Sequence, residues 1–89
     1  MRKRDEILLR AMRKLEGKEK TRDEIKRATT ETIREVVDEG MEVEAILEVL
    51  SVSFDPELPL EEKIDRALWG LFSKVVVEVD REAMELEVH

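Results

Sequence analysis

The spacing of hydrophobic positions predicts α-helices along most of the chain. Apolar and small residues recur at every third or fourth position, which places them on one face of a helix. Thr21 is a candidate N-cap of a second helix, with Glu24 three residues later to complete a capping box, and Gly40 stands where that helix should end. The buried face predicted between them consists of Ile25, Ala28, Thr29, Thr32, Ile33, Val36 and Val37.

Three more helices follow from the same pattern. The first helix of the chain is predicted over residues 3–16, and Gly17 should end it. The third helix of the chain is predicted to begin at Val43 and to end near Ser53. Residues 54–59 contain two prolines and form a predicted loop, because proline interrupts a helix and disfavours helical geometry in the residue before it. The fourth helix follows this loop, and its apolar series is Ile64, Ala67, Leu68, Leu71, Phe72 and Val75.

Two parts of the chain repeat each other at a distance of 39 residues. The segment Ile25-Lys26-Arg27-Ala28 corresponds to Ile64-Asp65-Arg66-Ala67, and Val36-Val37 corresponds to Val75-Val76. A period near 40 is typical of HEAT-like repeats, in which each helix pair stacks on the next. We therefore expect a single domain, residues 1–89, built from two tandem HEAT-like α-hairpins over residues 3–40 and 42–76.

The period changes from helical to alternating at the C-terminal end. Val75, Val77 and Val79 alternate with polar or other residues, and so do Met84, Leu86 and Val88. Residues 80–83 between the two runs suit a four-residue turn, so the pattern predicts a β-hairpin over residues 75–88. A fifth helix from Asp80 is the alternative.

Composition limits the classes of protein that fit. The chain has no cysteine, so disulfides and thiolate metal sites are excluded. Charged residues make up 44% of the chain, and heavy use of Glu, Lys and Arg is typical of thermostable proteins, although a designed chain without natural function has the same composition. Neither a signal peptide nor a membrane-spanning run is visible, so we expect a cytoplasmic protein.

Charge is distributed unevenly. Residues 1–27 contain 11 Lys and Arg against 6 Asp and Glu, whereas residues 28–89 contain 5 against 17. Such asymmetry favours association between copies or with a partner of opposite charge. One alternative function is therefore weak nucleic-acid binding by the first helix pair, for which the candidate contacts are Arg10, Arg13, Lys14, Lys18, Lys20 and Arg22.

Candidate chemistry is sparse. The single histidine is His89, and no serine has an imidazole partner elsewhere in the chain. Carboxylate pairs such as Glu42 with Glu44, or Glu61 with Glu62, are expected to be solvated surface groups. We predict that the protein is not an enzyme and has no catalytic, metal or cofactor site and no small-molecule substrate.

The function that the sequence favours is protein–protein interaction, with self-association into a homo-oligomer as its main form. Trp69 flanks the apolar series of the fourth helix, and tryptophan is enriched in interfaces. The predicted hairpin needs a surface to cover its apolar face, because two strands alone are marginally stable. The candidate interface residues are Trp69, Val76, Val77, Val79, Met84 and Leu86.

Three short motifs resemble a family of small uncharacterised archaeal all-helical proteins. They are Ile25-Lys26-Arg27-Ala28-Thr29, the loop Asp55-Pro56-Glu57-Leu58-Pro59-Leu60, and the pair Leu68-Trp69. The similarity covers residues 7–76 and implies an α-helical bundle without an assigned activity. The alternating tail after Val76 departs from the family pattern.

Overall fold

The structure is an all-helical bundle. A computed structural model of the chain describes residues 2–88, of which residues 87 and 88 are described by their backbone alone. These residues form four α-helices and contain no β-strand. The helices are α1 (Lys3–Arg13), α2 (Arg22–Asp38), α3 (Val43–Val49) and α4 (Leu60–Val88).

The predicted boundaries of α2 are confirmed. The Thr21 hydroxyl accepts a hydrogen bond from the Glu24 backbone N–H at 3.2 Å. The carboxylate of Glu24 does not complete the predicted capping box; it pairs with Arg27 at 3.1 Å, while the Thr21 N–H donates to the Glu19 carbonyl. Gly40 ends the helix at a φ of 103°, in a backbone conformation that glycine adopts readily.

Helix α3 is shorter than the pattern predicted. It ends at Val49 because Ser51 adopts a φ of 59° and turns the chain away. The N–H of Ser51 donates to the Glu48 carbonyl and the N–H of Val52 donates to the Leu47 carbonyl, which forms a Schellman motif. Gly17, Gly40 and Ser51 thus stand just after the ends of three successive helical segments, each with positive φ.

The core is formed where α4 packs against α1, α2 and α3. The helices α2 and α4 run antiparallel, since Lys26 lies beside Trp69 whereas Val37 near the end of α2 lies beside Ile64. Most of the predicted apolar positions are buried, but Val37 is 37% exposed. The fully buried side chains of the core include Ile7, Leu15, Val36, Ile46, Leu47, Leu50, Leu71 and Val75.

Gly70 brings the segment after α3 close to α4. A Cβ at this position would lie 2.5 Å from a methyl group of Val52. The absence of a side chain therefore allows Val52 to pack directly on the backbone of α4, next to Leu50.

The predicted β-hairpin is wrong, and so is its alternative of a separate fifth helix. Residues 75–88 continue α4 without a break, and α4 is 29 residues long. The alternating valines are explained by a helix that is apolar on more than one side: Val75 is buried in the core, Val79 is partly buried, and Val77 is 56% exposed. The proposed turn residues 80–83 are all helical, and the Glu78–Arg81 ion pair at 3.1 Å has a helical i, i+3 spacing.

Candidate interaction surface on helix α4

Helix α4 extends beyond the other three helices. At about 1.5 Å per residue its 29 residues span roughly 43 Å, which approaches the 47 Å longest dimension of the molecule. Residues 80–86, which we call the α4 tip, are exposed at every position. The start of the tip adjoins α1, since Glu82 lines a shallow groove with Leu8, Leu9 and Met12. Further along the tip, Met84 and Leu86 are apolar residues that are 65% and 78% exposed.

An apolar stripe runs along α4 from the bundle onto the tip. Its members alternate in spacing by three and four residues, the repeat by which helices pair in coiled coils. Its first members are held by the bundle, where the rings of Trp69 and Phe72 pack edge to face with centroids 5.4 Å apart. We call this surface the α4 stripe, and it consists of Trp69, Phe72, Val76, Val79, Ala83 and Leu86.

The burial of the stripe decreases along the helix. Phe72, Val76 and Val79 are partly buried, whereas Ala83 and Leu86 are exposed. Trp69 is 55% exposed because it lies at the edge of the contact between α2 and α4. A stripe that starts beside the core and ends in solvent leaves its outer part available for a partner.

The structure places all six predicted interface residues on α4 rather than on a hairpin. Four of them, Trp69, Val76, Val79 and Leu86, belong to the α4 stripe. Val77 and Met84 lie seven residues apart on the neighbouring face of the helix, and both are exposed. Sequence reasoning missed Phe72 and Ala83 as members, although the spacing of three and four residues was visible in the sequence.

A groove between α2 and α4 lies beside the stripe. It has a volume of about 340 Å³. Its α4 side is mainly apolar, and its α2 side carries two cationic side chains and one carboxylate. The charged and apolar side chains that line it are Arg22, Asp23 and Lys26 from α2, and Asp65, Leu68, Trp69 and Phe72 from α4.

The tip and the groove differ in charge. Around the stripe, residues 78–86 contain Glu78, Asp80, Glu82 and Glu85 but a single basic residue, Arg81. Arg81 is already paired with Glu78 at 3.1 Å. One end of the stripe is therefore acidic, whereas at the other end the cations Arg22 and Lys26 stand among the carboxylates Asp23 and Asp65.

Half of the predicted nucleic-acid contacts are engaged within the bundle. Arg10 donates two hydrogen bonds to Glu39, the shorter at 2.6 Å, and Lys14 contacts Glu35 at 2.8 Å. Lys18 lies 3.9 Å from Glu24. These pairs hold α1 and α2 antiparallel, and the hydrogen bond from Arg10 lowers the pKa of Glu39 and raises that of Arg10.

The other three predicted contacts do not form one surface with them. Arg13, Lys20 and Arg22 are exposed. Arg22 faces the groove beside Trp69 rather than the α1 side of α2 where Glu35 and Glu39 meet their partners. The basic cluster of the sequence is thus divided by the fold into paired residues between α1 and α2 and separate cations elsewhere.

The predicted solvated carboxylates are exposed, and one has a structural partner. Glu42, Glu61 and Glu62 are exposed, whereas Glu44 contacts the amine of Lys63 at 2.8 Å and so links α3 to the first turn of α4. Among the residues that the structure describes, no three His, Cys, Asp or Glu side chains converge in a way that suits a metal ion. His89 lies outside the described residues.

Within the described part of the chain, every helix is too short or too polar to cross a bilayer.

Comparisons with protein-family models, with curated proteins and with solved structures find no match to this chain. The resemblance to the archaeal helical family therefore stays an expectation.

Proposed function

We propose that this protein is a non-enzymatic interaction module that associates with itself through the α4 stripe. The observation that supports the proposal most directly is the α4 tip, which continues the apolar stripe into solvent beyond the bundle. The core does not require this segment, since residues 80–86 are exposed throughout. A second helix laid along the stripe would remove its apolar side chains from water.

The energetic argument concerns three side chains. Trp69 and Leu86 are 55% and 78% exposed, and Val76 is partly buried. Burying a large apolar side chain contributes roughly 1.5–3 kcal/mol, and tryptophan is among the residues that contribute most in interfaces. The stripe thus has the composition of a helix-pairing surface, with an aromatic anchor at one end and an aliphatic residue at the other.

Leu86→Asp should weaken self-association by about ten- to a hundredfold, because it places a charge where the stripe is most exposed. Sedimentation equilibrium from micromolar to millimolar concentration measures this change. Trp69 provides a second measurement: it is the single tryptophan of the chain, and its emission should shift to shorter wavelength as association buries it.

Leu60→Asp is the matched control. Leu60 is 62% exposed at the other end of the same helix, outside the stripe, and an acidic residue is favourable in a first helical turn. This variant should associate as the wild type does. A wild-type protein that remains monomeric at millimolar concentration would contradict the proposal.

The nucleic-acid alternative receives less support from the geometry. Its proposed contacts include Arg10 and Lys14, whose cationic groups are already paired with Glu39 and Glu35. It remains a prediction with its own test: titration of RNA and duplex DNA at low salt, where phosphate binding is strongest and falls steeply as salt is added.

A further inference from the structure

We infer that two copies of the chain pair antiparallel along the α4 stripe, so that the tip of each copy lies against the α2–α4 groove of the other. The inference rests on the proposed self-association and specifies its geometry. It follows from three observations: the spacing of the stripe, the acidic charge of its tip with Arg22 and Lys26 beside its other end, and the position of the groove.

The spacing of the stripe is compatible with antiparallel pairing about a two-fold axis. Antiparallel helices place the first member of the stripe opposite the last, so that Trp69 meets the partner's Leu86 and Phe72 meets the partner's Ala83. Val76 then meets the partner's Val79, and the axis passes between these two positions. Each large residue at the bundle end is matched by a smaller residue at the tip.

Charge distinguishes this arrangement from a parallel one. A parallel pair would place the two tips side by side, each with Glu78, Asp80, Glu82 and Glu85 against Arg81 alone. Like charges on facing helices destabilise pairing, and this repulsion would act where the bundle gives no other support. Antiparallel pairing separates the tips and moves each onto the bundle of the other copy.

The acidic tip then meets the α2 side of the groove, which carries Arg22 and Lys26 beside Asp23. Glu82 lies fourteen residues after Leu68, so the two residues share one side of α4. This side adjoins α2 at Leu68 and adjoins the chain's own α1 at Glu82. In antiparallel pairing this side faces its equivalent on the other copy. Glu82 is therefore directed toward the partner's Arg22 and Lys26, which line the groove.

The groove also accommodates the apolar part of the tip. Its α4 side is formed by Leu68, Trp69 and Phe72, and its volume of about 340 Å³ is open to solvent beside the half-exposed indole. Leu86 of the partner subunit reaches this level of α4 in the antiparallel register. The contact between the tip of one copy and the groove of the other therefore covers Leu86 and Trp69, the two most exposed large residues of the stripe. It also brings Glu82 near Arg22 and Lys26 of the other copy.

Charge reversal tests the geometry. Arg22→Glu and Glu82→Arg each convert both symmetric contacts of the homodimer from attractive to repulsive, and each should weaken self-association about tenfold or more. Both side chains are exposed, and Arg22 stands in the first turn of α2, where an acidic residue is compatible with the helix dipole. Circular dichroism verifies that both variants fold.

Mixing the two variants in equal amounts gives the decisive measurement. In the mixed dimer, the carboxylate introduced at position 22 faces the guanidinium introduced at position 82, and the native Arg22 faces the native Glu82. Association should therefore return to the wild-type level, and native mass spectrometry should show a heterodimer rather than two homodimers. Arg13→Glu, an exposed reversal on α1 away from the groove, is the control and should leave association unchanged.

The outcomes separate the two proposals. If the wild type dimerises but the mixture of variants does not recover, the antiparallel geometry is wrong and self-association through the stripe stands. If the wild type is monomeric at millimolar concentration, both are wrong. If the wild type is monomeric but captures a basic amphipathic helix from another protein, the stripe is a docking surface for a different partner and the homodimer is excluded.

Discussion

Ser51 occupies a backbone conformation that residues other than glycine rarely adopt. Its φ of 59° lies in the left-handed region, where a Cβ atom approaches the following carbonyl oxygen. The Schellman hydrogen bonds from Ser51 and Val52 hold the chain in this conformation at the end of α3. Gly40 occupies the equivalent position after α2 without this cost, and its N–H and that of Met41 form the same pair of hydrogen bonds.

Ser51→Gly should therefore raise the free energy of unfolding by about 0.5–1 kcal/mol. Relief of the left-handed strain contributes about 1–2 kcal/mol, and the greater flexibility of glycine in the unfolded chain offsets part of it. Urea denaturation measures the change. Ser53→Gly, at an exposed loop position without positive φ, is the control and should not stabilise the protein.

Single-residue signals explain which helix ends the sequence could predict. Thr21 and Gly40 are residue types whose side chain or flexibility suits a helix end, and both act as expected. Serine has no such preference at the C′ position, so the end of α3 at Val49 could not be predicted from Ser51. The position became interpretable only through its φ and its hydrogen bonds.

At the level of elements, α4 is two structural segments in one helix. Ala67, Leu71 and Val75 are fully buried, whereas residues 80–86 are all exposed. The free energy that keeps the tip helical in a monomer therefore comes mainly from its own sequence. Isolated helical segments of this length are marginal in water, so the tip should open locally more often than the rest of α4.

Ala83→Gly and Ala67→Gly compare the same substitution in the two segments. Glycine costs a helix about 1 kcal/mol relative to alanine. At Ala83 this cost should speed amide exchange in residues 80–86 of the monomer and leave the melting temperature unchanged. At Ala67, which is fully buried, it should lower the melting temperature by several degrees.

Hydrogen exchange and thermal melting at low micromolar concentration measure both effects. Equal losses of melting temperature in the two variants would show that the tip is part of the cooperative unit, contrary to this description of α4.

The error in the C-terminal prediction has a physical origin in α4 itself. A helix that packs against one core usually shows one apolar face. In α4, Val75 and Val79 lie one turn apart on the side that packs against the core, and Val77 lies on the opposite, exposed side, so the three valines alternate in the sequence as strand residues do. Alternation over three residues is therefore ambiguous where a helix has more than one apolar surface.

The whole molecule is held at its N-terminal side by ion pairs that join α1 to α2. Arg10 with Glu39 and Lys14 with Glu35 connect residues 21 to 29 positions apart, so neither pair belongs to a single helix. This arrangement depends on tertiary structure, so the sequence left open the alternative that these cations bind phosphate. The groove beside Trp69 could not be predicted from the sequence for the same reason, because Arg22 and Lys26 precede Trp69 by more than 40 residues in the chain.

Stability should depend on pH through Glu39. Its pKa in the folded protein is lower than the ordinary value of 4.5, chiefly because Arg10 donates a hydrogen bond to the carboxylate. A lowered pKa contributes stability that is complete above the ordinary value and is lost as the pH falls through the lowered one. Glu39→Gln should therefore be less stable than the wild type at pH 7, and the difference should begin to shrink near pH 4.5 and disappear once the pH falls below the lowered pKa of Glu39 in the folded wild type.

Urea titrations across this pH range provide the test. Glu31→Gln is the control for the loss of one negative charge, because Glu31 lies exposed elsewhere on α2. A constant difference between Glu39→Gln and the wild type at every pH would mean that the substitution acts through packing rather than charge.

The overhang of α4 has a consequence for how this protein can change over evolutionary time. Substitutions in the core are constrained by folding, but the exposed residues of the tip make no comparable contribution to it. Under the proposed self-association, mutations there would change which partner binds and how tightly, while the bundle persists. Folding and partner binding would then depend on largely different parts of one continuous helix, and each could change without the other.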